Sequence, residues 1–374
     1  MAVGGKTGHP DNLVLLDGLR GLGAILVVIG HTKASWGSFS APSGAVIVDL
    51  FFLLSGFVIA FSYEPKFAAG MGAGEFMIHR IVRLYPLYLA GILFGFGVQV
   101  VMAMGDGDQG GRTVEDTKQL ALHLLVLPAP GEPHHMIYPL NAPAWTLFFE
   151  LLVNLLYVLA FRWLRNTRVL IVVTLMCAAG LAATVFHFGH IDVGWQWQTF
   201  WGGFARAGFG FFAGVLAYRL IGSPRTVERP VRHWPVLLLV FAPLACLTPA
   251  TPELRPFVDL VFTAILGIPL LMFAQSSAPP AKYRALFAIG GRLSYAIYII
   301  HLPLQVMMER IGWRFPGVYD LTPLPGIVIL LVAVTLAYFL EKYYDRPVRR
   351  WIAAQMRARK LRRVDEEAAK AFAD

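Results

Sequence analysis

The 374-residue chain is poor in charged residues and in cysteine. Asp, Glu, Lys and Arg make up 15% of it, whereas a soluble domain usually carries about 25%. Together with a hydrophobic share of 57% and a mean hydropathy of +0.60, this shortfall excludes an ordinary soluble protein. The two cysteines, Cys177 and Cys246, lie inside apolar segments. They provide neither a disulfide framework nor a zinc pattern, and no metal site is expected.

Acidic residues are scarcer than basic ones, and the formal net charge is +9. Such a charge can indicate a nucleic-acid-binding protein. Here the basic residues lie between long apolar runs and form no single stripe, so a nucleic-acid partner is not expected. Basic residues at the ends of apolar runs are instead the signal that orients membrane helices.

Ten apolar segments are long enough to cross a membrane, since a spanning helix needs about 20 mostly apolar residues. We therefore predict an all-α fold, a polytopic membrane bundle of about ten transmembrane helices. The seventh segment is short and rich in proline. The predicted segments are 14–33, 46–63, 84–104, 144–162, 168–188, 199–220, 235–250, 257–274, 293–311 and 324–344.

The loops between these segments predict the orientation. Clusters of Lys and Arg follow the second, fourth, sixth, eighth and tenth segments, all on the side of the N-terminus. The longest opposite loop, 105–143, holds only Arg112 and Lys118 as basic residues. Because positive loops stay inside, both termini are predicted to be cytoplasmic. The expected location is a bacterial inner membrane, which the chain crosses several times.

Two regions are expected along the chain. Residues 1–350 are predicted to form the transmembrane domain. The remainder, 351–374, is first basic and then acidic. This pattern is typical of a helical tail that lies at the cytoplasmic membrane surface.

Ionisable side chains inside spanning segments are costly and are functional candidates by default. On the first segment, Arg20 and His31 are eleven residues apart. Three helical turns place them on one face, about 16 Å apart along the axis. Arg20 is a candidate to bind an anion, and His31 is a candidate general base. The alternative is an interfacial arginine and a histidine that only caps the helix.

Two carboxylates are candidates to orient His31. Asp49 lies near the start of the second segment, and Glu150 lies more than one turn inside the fourth. A carboxylate that holds the imidazole tautomer is the arrangement of catalytic triads. The sequence does not choose between them, and both are predicted catalytic residues with His31. Ser55, beside Gly56, is interpreted as a point of close helix packing rather than a nucleophile.

Two arginines and one polar stripe complete the candidates. Arg80 and Arg83 are three residues apart and share a helix face. Their guanidinium groups suit phosphates, which they bind through two parallel hydrogen bonds, although for an isolated pair plain anchoring at the cytoplasmic membrane surface is the better explanation. On the ninth segment, Ser294, Tyr298 and His301 form one helical stripe. This stripe is expected to face the bundle interior, either for interhelical hydrogen bonding or for a site.

Taken in order, six segments resemble the acyltransferase-3 family of membrane acyltransferases. Each motif alone is weak, but together they extend over about 11–350, on alternate sides of the predicted bundle. The segments are LDGLRGLGAILVVIGHT, VDLFFLLSGFVIA, RIVRLYP, PAWTLFFE, SYAIYIIHLPL and EKYYDRPVRRW.

The resemblance implies transfer of an acyl group from cytoplasmic acetyl-CoA, or a longer acyl-CoA, to a hydroxyl of a glycan reached from outside. Some family members modify small molecules such as macrolides instead. The family pattern makes His31 the catalytic residue. The donor and the acceptor are expected to bind to different side chains: Arg20, Arg80, Arg83 and Tyr298 for the donor, and Trp145, Ser294 and His301 for the acceptor.

The resemblance leaves the partners open. Longer family members carry a fused outer hydrolase-like domain, which this chain is expected to lack. Either the chain acts alone, as a monomer or a homo-oligomer in contact with membrane lipid, or a separate extracytoplasmic protein completes the transfer.

A carbohydrate or lipid transporter, or a flippase, is the alternative function. Membrane bundles with buried His, Glu and Arg often relay protons, and outer aromatic residues such as Trp195, Trp197 and Trp201 suit a carbohydrate lipid. Against this, we see no internal repeat of the kind that many transporters have. The charged groups also concentrate around the face of one helix.

Overall fold

The structure is a computed structural model that describes residues 13–37, 44–105, 111–221, 251–276 and 279–371. Within these ranges the chain forms helices and no strand. The helices are α1 (Val14–His31), α2 (Val46–Ala68), α3 (Ala73–Gly105), α4 (Gly111–Leu124), α5 (Trp145–Leu164), α6 (Thr167–Phe188), α7 (Phe200–Ile221), α8 (Arg255–Leu260), α9 (Gly267–Ser276), α10 (Ala281–Arg314), α11 (Leu324–Leu340) and α12 (Arg346–Ala371).

Eight segments of the described chain are long and apolar enough to cross a membrane. They contain α1, α2, α3, α5, α6, α7, α10 and α11, the last continuing into α12. The prediction of an all-α polytopic membrane bundle is therefore confirmed. The orientation of the termini stays a prediction.

Two predicted segments are not among these eight. The segment 235–250 lies outside the described residues. The segment 257–274 is helical but broken, because a π-helical turn, Val261–Leu266, separates α8 from α9. Pro269, near the start of α9, lacks the N–H that the carbonyl four residues earlier needs in a regular helix.

The predicted outer loop 105–143 contains helix α4, which the sequence reading missed because the helix is too polar to span a membrane. Tyrosine hydroxyls satisfy carbonyls at its C-terminal end, which a helix leaves without partners. They donate from Tyr85 to Leu124, from Tyr88 to His123 and from Tyr138 to Val126. His123 stacks on Tyr138, and burial lowers the pKa of His123 to about 4. The imidazole is therefore neutral at neutral pH.

The predicted boundary between membrane domain and tail falls inside a helix. Helix α12 runs without interruption from Arg346 to Ala371, so no structural break marks residue 350. The division into two regions stays a prediction.

Glycine allows the closest helix contacts of the bundle. α1 packs along α10 where Gly21 faces Gly290, and a Cβ added to Gly21 would lie 2.7 Å from the Gly290 Cα. α2 packs along α7 where Gly56 faces the Phe211 carbonyl at a distance that leaves no room for a Cβ. The predicted close packing at Gly56 matches this contact. Both pairs place α1 and α2 inside the bundle, and both helices carry candidate residues.

Replacing Gly56 with alanine is expected to separate α2 from α7 and to lower the thermal stability of the purified protein. The added methyl group would overlap backbone atoms, which cannot give way as a flexible side chain does. Gly97→Ala on α3 is the matched control, since nothing lies within 4 Å of its added Cβ. That control should raise stability by up to about 1 kcal/mol. Equal effects of the two substitutions would contradict this packing.

Candidate active site

His31 is the last residue of α1, and its imidazole is exposed at the end of that helix. Its Nδ1 lies 2.9 Å from the carbonyl oxygen of Val27, one turn earlier. Because a carbonyl oxygen only accepts, Nδ1 carries the proton and Nε2 keeps its lone pair. The helix itself thus holds the tautomer that a general base requires.

A second imidazole lies against the first. The ring centroids of His31 and His301 are 4.9 Å apart, edge to face. His301 is fully buried, and its Nδ1 donates to the Tyr298 carbonyl over 2.6 Å. Among the described residues, no group is hydrogen-bonded to its Nε2. The lone pair of His301 is therefore buried beside the exposed base.

A proline in α10 fixes the backbone around His301. Pro303 has no N–H, so the carbonyl of Ile299 loses the donor that a regular helix supplies. The side-chain amide of Asn141 replaces it, donating to Ile299 over 2.8 Å. Asn141 immediately precedes the turn Ala142–Ala144 that leads into α5. This bond therefore ties the start of α5 to the turn of α10 that carries His301.

Asp49 is bound to an arginine that the sequence reading missed. The Nε and Nη2 of Arg206, on α7, lie 3.1 and 2.8 Å from the two Asp49 carboxylate oxygens. Arg206 also donates to the carbonyls of Val193 and Ala45. Its guanidinium lies 5.1 Å from the ring centre of Trp145. The rule that marks charged residues in apolar segments applies equally to Arg206 and would have found it.

Glu150 is bound to Arg80. Arg80 Nη2 lies 2.7 Å from Glu150 Oε1. Ser55 donates a short hydrogen bond to the same oxygen, and Asn154 donates to it over 3.1 Å. Ser55 is thus a hydrogen-bond donor as well as a small residue at a packing point. Within the described residues neither Asp49 nor Glu150 is hydrogen-bonded to His31.

Three predicted arginines gather at the opposite end of α1. Arg20 interacts favourably with Asp17 and Glu150 and unfavourably with Arg80, and Arg83 is repelled by Arg20 and Arg80. In the part of the chain that the structure describes, no ion pair engages Arg20 or Arg83. Arg80 also has a buried Nε without a hydrogen-bond acceptor. The group therefore has guanidinium donors that internal carboxylates do not use.

The remaining predicted residues are Tyr298, Ser294 and Trp145, of which Tyr298 lies next to His301. Tyr298 is 5.7 Å from His301 between ring centres and lies within hydrogen-bonding reach of Thr146. The hydroxyl of Ser294 donates to the Gly291 carbonyl of its own helix. Trp145 packs beside Phe52 and Arg206. The structure thus brings Tyr298 together with His301 and not with the arginines; the roles of all three residues stay predictions.

The comparison with protein families decides the class of the protein. The acyltransferase-3 family, described as an acyltransferase domain, matches residues 13–341. This chain belongs to the acyltransferase-3 family. Membership makes it an acyltransferase, as the resemblance of its motifs predicted. The match includes His31 and every other predicted site residue.

Relatives within this family differ in length. The chain is 38% identical to protein 2 in the picA locus of Rhizobium radiobacter over 168 residues, which are 41% of this chain and 83% of the relative. It is 34% identical to the acyltransferase MdmB of Streptomyces mycarofaciens over 145 residues, 38% of this chain and 34% of the relative. It is 25% identical to the peptidoglycan O-acetyltransferase OatA of Listeria monocytogenes over 367 residues, 90% of this chain and 55% of the relative. No solved structure matches the chain.

Proposed function

We propose that this acyltransferase moves an acetyl group from acetyl-CoA to a hydroxyl of a glycan on the far side of a bacterial inner membrane. The observation that carries the proposal is the state of His31. Its Nδ1 donates to Val27, which in the neutral ring leaves the lone pair on Nε2, and His31 lies at the opposite end of α1 from the arginine cluster. A base and an anion-binding group then lie about 16 Å apart along α1.

The donor binds as an anion. The phosphates of coenzyme A contact Arg20, Arg80 and Arg83. Each guanidinium group can donate two parallel hydrogen bonds to phosphate oxygens. Two observations on the described residues support this assignment: no ion pair engages Arg20 or Arg83, and the buried Nε of Arg80 has no acceptor. The acyl arm then extends along α1, so that the thioester reaches His31.

The transfer needs one proton to move twice. His31 Nε2 takes the proton of the acceptor hydroxyl while the hydroxyl oxygen attacks the thioester carbon. The carbon–sulfur bond then breaks, and the leaving thiolate takes the proton back from His31 as coenzyme A departs. The products are an ester and free thiol, and the imidazole returns to its starting tautomer. Direct transfer and a transient acyl-histidine both use the same lone pair.

The oxyanion of this reaction needs a hydrogen-bond donor. Ser294 and His301 already donate to backbone carbonyls, at Gly291 and Tyr298. The hydroxyl of Tyr298 does not donate to a backbone carbonyl. Of the three residues of the stripe, Tyr298 is therefore the best candidate to donate a hydrogen bond to the oxyanion. Asp49 does not reach His31, and we assign it, with Arg206, to holding α2 and α7 around the site.

Replacing Arg83 with glutamine tests donor binding. We expect KM for acetyl-CoA to rise about tenfold or more, because one charge-assisted contact to a phosphate is lost, while kcat changes little. The measurement is coenzyme A release by the purified full chain in detergent, with acetyl-CoA and isolated peptidoglycan. Arg162→Gln is the matched control, because Arg162 is an exposed arginine in the last turn of α5 that is not assigned to the donor site; it should keep the wild-type KM.

Two outcomes would contradict the proposal. An unchanged KM in Arg83→Gln would remove the arginine cluster from donor binding. Failure of the wild-type chain to bind or consume acetyl-CoA or longer acyl-CoAs would instead favour the transporter.

A further inference from the structure

A network of ion pairs lies where α11 meets α12, next to α3. At the π-helical turn Glu341–Asp345, Arg346 binds Glu341 over 2.8 Å and Arg349 binds Asp345 over 2.5 Å. Asp345 is 1% exposed, whereas the side chain of Arg349 is 24% exposed. A buried carboxylate therefore holds an arginine that still reaches the surface.

Arg83, on α3, lies near the same group, because α12 and the turn Glu341–Asp345 both pack against α3. It is repelled by Arg349 and, more weakly, attracted by Asp345, and within the described residues it forms an ion pair with no carboxylate. Over the ranges that the structure describes, the buried Nε of Arg349 donates to no acceptor, and Asp345 Oδ1 accepts from no donor. The free N–H of Arg349 and the repulsion between the two guanidiniums favour an added anion, bound on the side of the guanidiniums that faces away from the Asp345 carboxylate.

The wider cluster has a positive excess. Arg20, Arg80 and Arg83 continue the line of guanidiniums from α1 to Arg349, and each interacts electrostatically with at least one of the others. In the described ranges, the carboxylates that interact with Arg20 and Arg83 are Asp17, Glu150 and Asp345. Arg349 lies on α12 and interacts with Arg83, which in turn interacts with Arg20 and Arg80.

We propose that a phosphomonoester binds between Arg83 and Arg349. The inference rests on the proposed function and deepens it, because coenzyme A carries its thioester at one end and a phosphomonoester on its ribose at the other. With the thioester at His31 and the pyrophosphate at Arg20 and Arg80, the ribose phosphate reaches the Arg349 end. A phosphate dianion at this position neutralises both guanidinium charges and accepts hydrogen bonds from their N–H groups. The phosphate of an anionic lipid has the same chemistry and is the competing source.

The test compares two ligands that differ only in this phosphate. Coenzyme A and 3′-dephospho-coenzyme A are titrated into the purified full chain in neutral detergent. The wild type is expected to bind coenzyme A about tenfold or more tightly. Arg349→Gln should bind both ligands equally, with the wild-type affinity for the dephosphorylated one. The double variant Asp345→Asn/Arg349→Gln should do the same, and it leaves no unpaired buried carboxylate that would impair folding.

Arg350→Gln is the matched control, because Arg350 is the exposed neighbour of Arg349 on the same helix. It should keep the wild-type preference. Equal binding of both ligands by the wild type, or a preference that survives in the double variant, would overturn this inference and leave the proposed function standing. No binding of either ligand would overturn both.

A second arm separates the two phosphate sources. The protein is placed in phosphatidylcholine nanodiscs with and without phosphatidic acid, and coenzyme A is titrated again. If the phosphomonoester comes from the donor, phosphatidic acid leaves the affinity unchanged. Competition by phosphatidic acid that disappears in the double variant would assign the site to a lipid and contradict the inference.

Discussion

Substitution of His31 by glutamine is expected to reduce acetyl transfer by about 100-fold to 10,000-fold, the usual contribution of general acid–base catalysis. Glutamine keeps hydrogen-bonding groups of similar size, but it cannot take a proton. Binding of coenzyme A should stay within about twofold of wild type, since the arginines lie about 16 Å away along α1. The measurement is kcat for acetyl transfer beside equilibrium binding of coenzyme A.

His190→Gln serves as its control, because His190 is exposed in the loop after α6 and is not one of the residues assigned to the site. It should leave kcat unchanged. A His31→Gln protein that transfers acetyl at the wild-type rate would remove His31 from the mechanism. A protein that loses coenzyme A binding as well would show that the substitution damages the fold and not the base alone.

Replacing Arg206 with methionine is expected to lower the free energy of unfolding by about 3–5 kcal/mol, because it leaves the carboxylate of Asp49 buried without a counter-ion. Arg206 is 1% exposed and Asp49 is 2% exposed, so water cannot replace the lost donors. The carbonyls of Val193 and Ala45 lose donors too, at about 1–3 kcal/mol for each group left buried and unpaired. The measurement is thermal unfolding in detergent.

The double variant Asp49→Asn/Arg206→Met separates the cost of the unpaired charge from the cost of the lost hydrogen bonds to backbone carbonyls. Removing both charges should recover a large part of the lost stability, since no uncompensated ion remains. Recovery stays incomplete because the two carbonyls still lack their donors. A single Arg206→Met variant as stable as the wild type, or a double variant less stable than the single one, would contradict a structural role for this pair.

The helices of the membrane core were predictable because apolar length alone determines them. Segments 14–33 and 168–188 agree with α1 and α6 to within a few residues. α3 and α10 are longer than predicted, since each continues past the apolar run through residues such as Arg80, Lys282 and Arg284. Hydropathy measures the part of a helix that suits lipid, and it does not detect where the helix itself ends.

The partners of the site residues were not predictable in the same way. Asp49 and Arg206 are 157 residues apart in the chain, and their pairing follows from the packing of α2 on α7. The contact of His31 with His301 follows likewise from α1 lying along α10. A sequence without aligned relatives gives the residue types that a site needs, but not which helices are neighbours. The group that orients His31 is the backbone carbonyl of Val27, and a backbone group cannot be recognised from residue types in the sequence.

The central claim is that an acetyl group moves from a thioester to a hydroxyl through His31. The most direct measurement is a single-turnover reaction of the purified chain with acetyl-CoA labelled in the acetyl group and isolated peptidoglycan as the hydroxyl source. The proposal predicts label in the glycan as a base-labile ester, together with one free coenzyme A for each ester, and neither product with His31→Gln. An equal yield of labelled ester from His31→Gln, or acetyl-CoA left intact by the wild type, would contradict it.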